Sequence, residues 1–191
     1  MTTRPLRILL ALAVATATAT ATATVAHASP PALRAVQPAP CVDGARETRG
    51  FSAVDDSEIR WTEASRYDSL RLHAIAEWNR FRKINIAPDT PITVNDLEFR
   101  DYYDKNDQAA GKYERHGNTA QTDFILLNRY WVDEVFKDRD DYRKNIVIHE
   151  LGHALGLCHK ADRVNSALHM ATNSKSVPTA VDKANYMKLW G

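Results

Sequence analysis

The stretch His149-Glu150-Leu151-Gly152-His153-Ala154-Leu155-Gly156-Leu157-Cys158-His159 constrains this chain more than any other. Two histidines four apart on a helix project from one face, close enough for both imidazoles to reach a single ion at about 2.0–2.1 Å. Glu150 is offset around the helix from the first histidine, so its carboxyl need not bind the ion and can reach a water at an open coordination position. Gly156 can adopt a left-handed backbone that ends the helix and swings His159 back as a third ligand. At average residue usage H-E-x-x-H arises by chance in roughly one chain of this length in two hundred, and adding the spaced Gly and His lowers this to about one in a hundred thousand. The histidines are therefore read as a zinc site rather than as ordinary helix residues, with His149, His153 and His159 as ligands and Glu150 as general base.

Periodicity places this motif on a helix without reference to the histidines. Ile146, Val147, Leu151, Ala154 and Leu155 form one broad apolar face over Asp141 to Leu155, with Asp140 or Asp141 as N-cap. A first helix is expected over Ser65 to Lys83, where Leu70, Ala74, Trp78 and Phe81 recur at helical spacing and Ser65 with Asp68 resembles a capping pair. Thr179 to Trp190 reads as a closing helix capped by Thr179 and Asp182. Strands are expected at Glu58 to Thr62, Ile84 to Ile86, Ile92 to Val94, Leu97 to Tyr103 and Phe124 to Leu127, and a long polar loop between Asp104 and Asp123.

The amino terminus carries Arg4 and Arg7, a weakly apolar run, and Ala26-His27-Ala28 before Ser29, the layout of a cleaved signal peptide. Residues 1–28 are therefore set aside as leader, residues 29–57 as an extended, proline-marked arm, and residues 58–191 as the catalytic domain. Loss of the two leader arginines leaves 23 basic against 24 acidic side chains, a net charge of −1. That balance gives no electrostatic reason to expect nucleic acid or an anionic membrane as partner, so a secreted, extracellular monomer acting on polypeptide is expected. Cys41 and Cys158 are the only cysteines. In an oxidising compartment a disulfide between them is one reading, with a free thiol or a metal-directed switch as the others.

The motif HELGHALGLCH matches the metzincin pattern HExxHxxGxxH, and the chain around it resembles the matrixin branch of these zinc peptidases. Ala76-Glu77-Trp78-Asn79 on the first helix, Ile125-Leu126-Leu127-Asn128, and a closing segment from Pro178-Thr179 to Leu189-Trp190-Gly191 carry that likeness. The resemblance implies an α+β domain: a mixed, mostly parallel sheet, two long helices, and a small C-terminal part with one helix. It also implies a secreted bacterial zinc endopeptidase that binds substrate extended along a sheet edge, and a methionine turn beneath the metal, for which Met170 in Asn165-Ser-Ala-Leu-His-Met170 is the candidate.

The reaction expected is peptide-bond hydrolysis by a water on the three-histidine zinc, with Glu150 taking its proton and passing it to the departing amine. The alternative is a zinc-stabilised, non-catalytic extracellular binding protein, which would have no need of Glu150. The chain departs from some relatives in having Ala171 and Thr172 after Met170, so a tyrosine ligand is absent. Pro40-Cys41-Val42-Asp43 resembles a cysteine switch only faintly, and His116 alone in its loop does not make a structural zinc site. His73 is assigned no role, and His169 is read as a supporting or surface residue. Asp101, Asp104 and Asp107, and again Asp138, Asp140 and Asp141, are candidate calcium ligands, with solvated loop carboxylates as the plainer reading.

Overall fold

Apolar residues at alternate positions build a five-stranded sheet from β1 (Glu58–Ala64), β2 (Asn85–Pro88), β3 (Leu97–Tyr102), β4 (Gly111–Glu114) and β5 (Asp123–Asn128). The spatial order is β2-β1-β3-β5-β4, parallel throughout except that β4 runs antiparallel to β5 along the edge. The computed structural model of the chain describes residues 36–42, 46–117 and 121–191, all within the unit Ala35–Gly191. The expected leader and residues 29–35 of the arm lie outside the described residues.

Ile59, Leu97, Phe99, Ile125 and Leu127 are fully buried. Such strict alternation on β3 and β5 marks one covered sheet face. Helices α1 (Asp68–Asn79) and α2 (Asp140–Ala154) are packed together. Leu70, Ala74 and Trp78, spaced four apart, form the buried stripe of α1. The Trp78 indole N–H donates to the Ile148 carbonyl at 3.1 Å, which locks α1 against the middle of α2. Burying side chains of this size contributes roughly 1.5–3 kcal/mol each. A third helix, α3 (Ala180–Trp190), carries the capping box expected of Thr179 and Asp182, and its Tyr186 hydroxyl accepts from the Ile84 and Lys83 amides.

Several expectations are corrected. Helix α1 is shorter than Ser65 to Lys83: the Ser65 hydroxyl accepts from the Tyr67 amide in the approach to the helix, and Arg82, at φ 59°, turns the chain out after it. Asp140 and Asp141 do not cap α2 through their side chains but sit in its first turn, where they complement the helix dipole, and Asp140 pairs with Lys144 at 2.6 Å. Ile92 to Val94 is a turn and not a strand; the Thr93 hydroxyl bonds to Asp89 and accepts from the Thr90 amide, and Ile92 is 95% exposed. The polar stretch read as a loop contains β4, paired with β5 from Gly111 opposite Leu127 to Glu114 opposite Phe124.

The described part of the arm is docked rather than free. Ala53 donates to Ala154 at 2.8 Å, Thr48 to Gly156 at 3.0 Å and Val42 to His159 at 3.1 Å, so these residues follow the end of α2 and the loop beyond it. Cys41 and Cys158 are joined by a disulfide with Cα atoms 5.6 Å apart. The buried Lys160 ammonium pairs with Glu47 beside it. The packed part of the chain therefore begins well before Glu58.

Candidate metal centre and cleft

Helix α2 runs straight into the site, and its last turns are buried from Asn145 to Gly152. Gly156, at φ 81°, then reverses the chain. A Cβ at that position would lie 2.5 Å from the Thr48 carbonyl oxygen, so both the backbone conformation and the docked arm require glycine. The turn carries His159 back over α2. The Nε2 atoms of His149, His153 and His159 lie 3.0, 3.0 and 3.1 Å from one another.

The other ring nitrogens explain the orientation. His149 Nδ1 lies 3.1 Å from the Ala167 carbonyl and His153 Nδ1 2.8 Å from the Leu157 carbonyl. A carbonyl can only accept, so each Nδ1 carries the proton and each Nε2 presents its lone pair to the centre. Burial, followed by the neighbouring imidazoles, pushes the His149 pKa well below the usual histidine range; burial likewise takes His153 down to about 4. Neutral rings with converging lone pairs repel unless a cation lies between them. Tetrahedral zinc with bonds of about 2.0–2.1 Å would space three nitrogens roughly 3.3 Å apart, so the donor set fits zinc with only small movements.

Behind the histidines, the loop after the motif is fixed by polar side chains that sequence reading did not single out. Asn145 donates to the Ala167 and Lys175 carbonyls and accepts from the Asn173 amide. Asp182 accepts from the Ala167 amide at 2.9 Å and from the Ser166 hydroxyl, joining the α3 cap to the carbonyl that orients His149. The Met170 side chain is 65% exposed and borders the same cleft as the three histidines. Leu168, two residues earlier, is buried, with its methyl carbons closing on Gly152 of α2. His169 bonds to the Val164 carbonyl, and His73 to the Ser176 carbonyl at 2.6 Å, so neither joins the cluster.

Glu150 is buried, and burial raises its pKa to about 8 against the lowering effect of a backbone hydrogen bond from Tyr113. Its side chain is pressed against β4. A Cβ on Gly111 would meet Glu150 Cγ at 2.8 Å and Oε1 at 2.9 Å. The histidines, Glu150 and β4 together border a cleft of about 640 Å³.

The candidate calcium ligands do not converge. Asp101 accepts from the Arg66 amide, Asp104 from the Asn106 amide, and Asp107 from the Tyr102 hydroxyl and the Lys112 ammonium. Among the described residues, the groups of three or more potential ligands are the histidine triad and Cys41, Glu47 and Cys158, whose cysteines are already bonded. Calcium at these aspartates is not supported.

A family model described as Astacin, a peptidase family, matches residues 131–189, under half of the chain but including the whole histidine motif. Together with the histidine triad it supports a zinc peptidase of metzincin type, and the five-stranded, mostly parallel sheet is compatible with that fold. Among curated proteins nothing matches the sequence. A solved structure described as the GM1 bound form of the ECX AB5 holotoxin aligns at 13% identity and a TM-score of 0.44, over 70% of this chain and 72% of that one, a likeness too slight to bear on function.

Proposed function

We propose that the chain is a secreted zinc endopeptidase, with the metal held by His149, His153 and His159 and Glu150 as the general base. The convergence of the three Nε2 atoms to within 3.1 Å carries the reading. When bound, zinc supplies a Lewis acid that polarises the scissile carbonyl and makes the attacking water more acidic.

The chain's own groups do the rest. Glu150, one residue beyond the first ligand and confined by Gly111 and Tyr113, takes the proton of the attacking water. Held at that position, the carboxylate can accept the proton and then release it to the departing amine. Strand β4 is an edge strand bordering the cleft, and its outer main-chain groups suit pairing with an extended peptide. Secretion is supported by the leader pattern and by a disulfide that needs an oxidising compartment. The matrixin-like assignment rests on the Trp78 helix and the Trp190-Gly191 end, which lie on α1 and at the close of α3.

The test is Glu150→Gln. Its zinc content should equal that of the parent while cleavage of unfolded protein falls by about 10²–10⁴-fold. Undiminished cleavage would remove Glu150 as the base.

A further inference from the structure

The cleft does not end at the histidines. A second cavity of about 450 Å³ opens on their far side and shares Tyr113, His153 and His159 with the first. Its walls come from the docked arm, the Gly156 turn and the chain just beyond β4. Two guanidinium groups, Arg46 and Arg115, face it, and none of the described residues lining it is acidic. Arg115 is held in place: it donates to the Gly50 carbonyl, and its guanidinium lies 5.8 Å from the ring of Phe51, which is itself 68% exposed. Neither arginine has an ion-pair partner among the described residues. Elsewhere on this chain arginines and acids are paired at close range, as at Arg60 with Glu58 and Arg100 with Glu98.

We infer that this cavity is a substrate subsite for an acidic side chain, aspartate or glutamate, on the amino-terminal side of the scissile bond. The inference rests on the peptidase reading above and names the substrate class of that same site. Direction follows from β4. A peptide that extends the sheet pairs antiparallel to this edge more favourably than parallel, so its amino-terminal half runs from Arg115 toward Gly111. Tyr113 borders both cavities and marks the middle of the cleft. Arg115 is two residues further, roughly 7 Å along an extended strand, so the side chain it meets is two or three residues before the cut. A guanidinium fork offers a carboxylate two parallel hydrogen bonds, and Phe51 gives the stem of the same side chain an apolar wall.

The experiment compares two peptides of one sequence with Glu or Gln at the second and third positions before the cleaved bond, on the zinc-loaded parent protein. The ratio of kcat/KM should favour Glu by tenfold or more and shrink toward one as salt is raised to molar concentration, where screening reaches about 3 Å. In Arg46→Gln with Arg115→Gln the ratio should fall to about one, and in Arg46→Glu with Arg115→Glu a Lys-containing peptide should become the better substrate. The same peptides, fluorescently labelled, are also titrated onto zinc-loaded Glu150→Gln, where tighter binding of the Glu peptide is expected. Absence of cleavage with that binding difference intact would sink the peptidase reading alone. Equal cleavage and equal binding of the two peptides, or a preference that survives both double variants, would overturn the acidic subsite.

Discussion

Substituting Gly111 should damage the base without touching a ligand. The added methyl of Gly111→Ala would lie 2.8 Å from Glu150 Cγ, 2.9 Å from Glu150 Oε1 and 2.9 Å from Ile146 Cγ2. Ordinary carbon contacts fall at about 3.5–4.0 Å, so β4 must retreat from α2 or Glu150 must turn away by roughly 0.7 Å. Ile146 is buried in the core and cannot give way freely. Overpacking of this kind costs about 1–3 kcal/mol, which in a domain of this size lowers Tm by roughly 2–12 °C. A carboxylate misplaced by nearly an ångström costs about 10²-fold in rate. The assay is kcat/KM on a single fluorogenic peptide with zinc content and Tm measured on the same preparation. Zinc binding should persist, since the three atoms the methyl meets first belong to Glu150 and Ile146 and not to a ligand, while kcat/KM falls. Parental kcat/KM together with a Tm within about 1 °C of the parent would refute the packing argument.

Gly156→Ala is expected to cost more than about 2 kcal/mol, since it adds left-handed strain to a 2.5 Å collision with the Thr48 backbone; denaturant unfolding and a zinc competition titration should show lower stability and weaker metal binding together. The metal-free protein should lose stability toward both ends of the pH range. His149 and His153 titrate below their unfolded value, so their contribution is complete above about pH 6.5 and is lost as pH falls toward 4. Glu150 titrates above its unfolded value, so its contribution is complete below about pH 4.5 and is lost as pH rises toward 8. The Tm of metal-free Glu150→Gln should therefore gain on the parent steadily between pH 5 and pH 8, and a constant difference across that interval would contradict the burial of the carboxyl.

The metal cluster was legible because a three-residue ligand set on a helix and its following turn is written at fixed spacing within eleven residues. The elements with strong apolar periodicity, β1, β3, β5 and α2, were legible for the same local reason. Strand β4 was not: Gly111-Lys112-Tyr113-Glu114 has no β-branched residue, and it is a strand because β5 and α2 offer it partners that are distant in sequence. Composition marks a methionine but not its direction: Met170 is exposed on the cleft, while Leu168, two residues earlier, is the side chain buried against Gly152. The arm carries few apolar residues, and what docks it are main-chain hydrogen bonds to Ala154, Gly156 and His159, a disulfide, and the buried Lys160 to Glu47 pair, none of which has a periodic signature. The arginines of the second cavity, 46 and 115, are brought together by that docking and could not be paired from the sequence.

The most direct measurement is the metal content of the folded protein, followed through chelation and restoration alongside peptide hydrolysis. One zinc ion per chain is expected, removed together with activity by a chelator and regained together with it on adding zinc, with His149→Ala, His153→Ala and His159→Ala each failing to regain either. Correctly folded protein that binds no zinc, or hydrolysis that continues undiminished without it, would contradict the account.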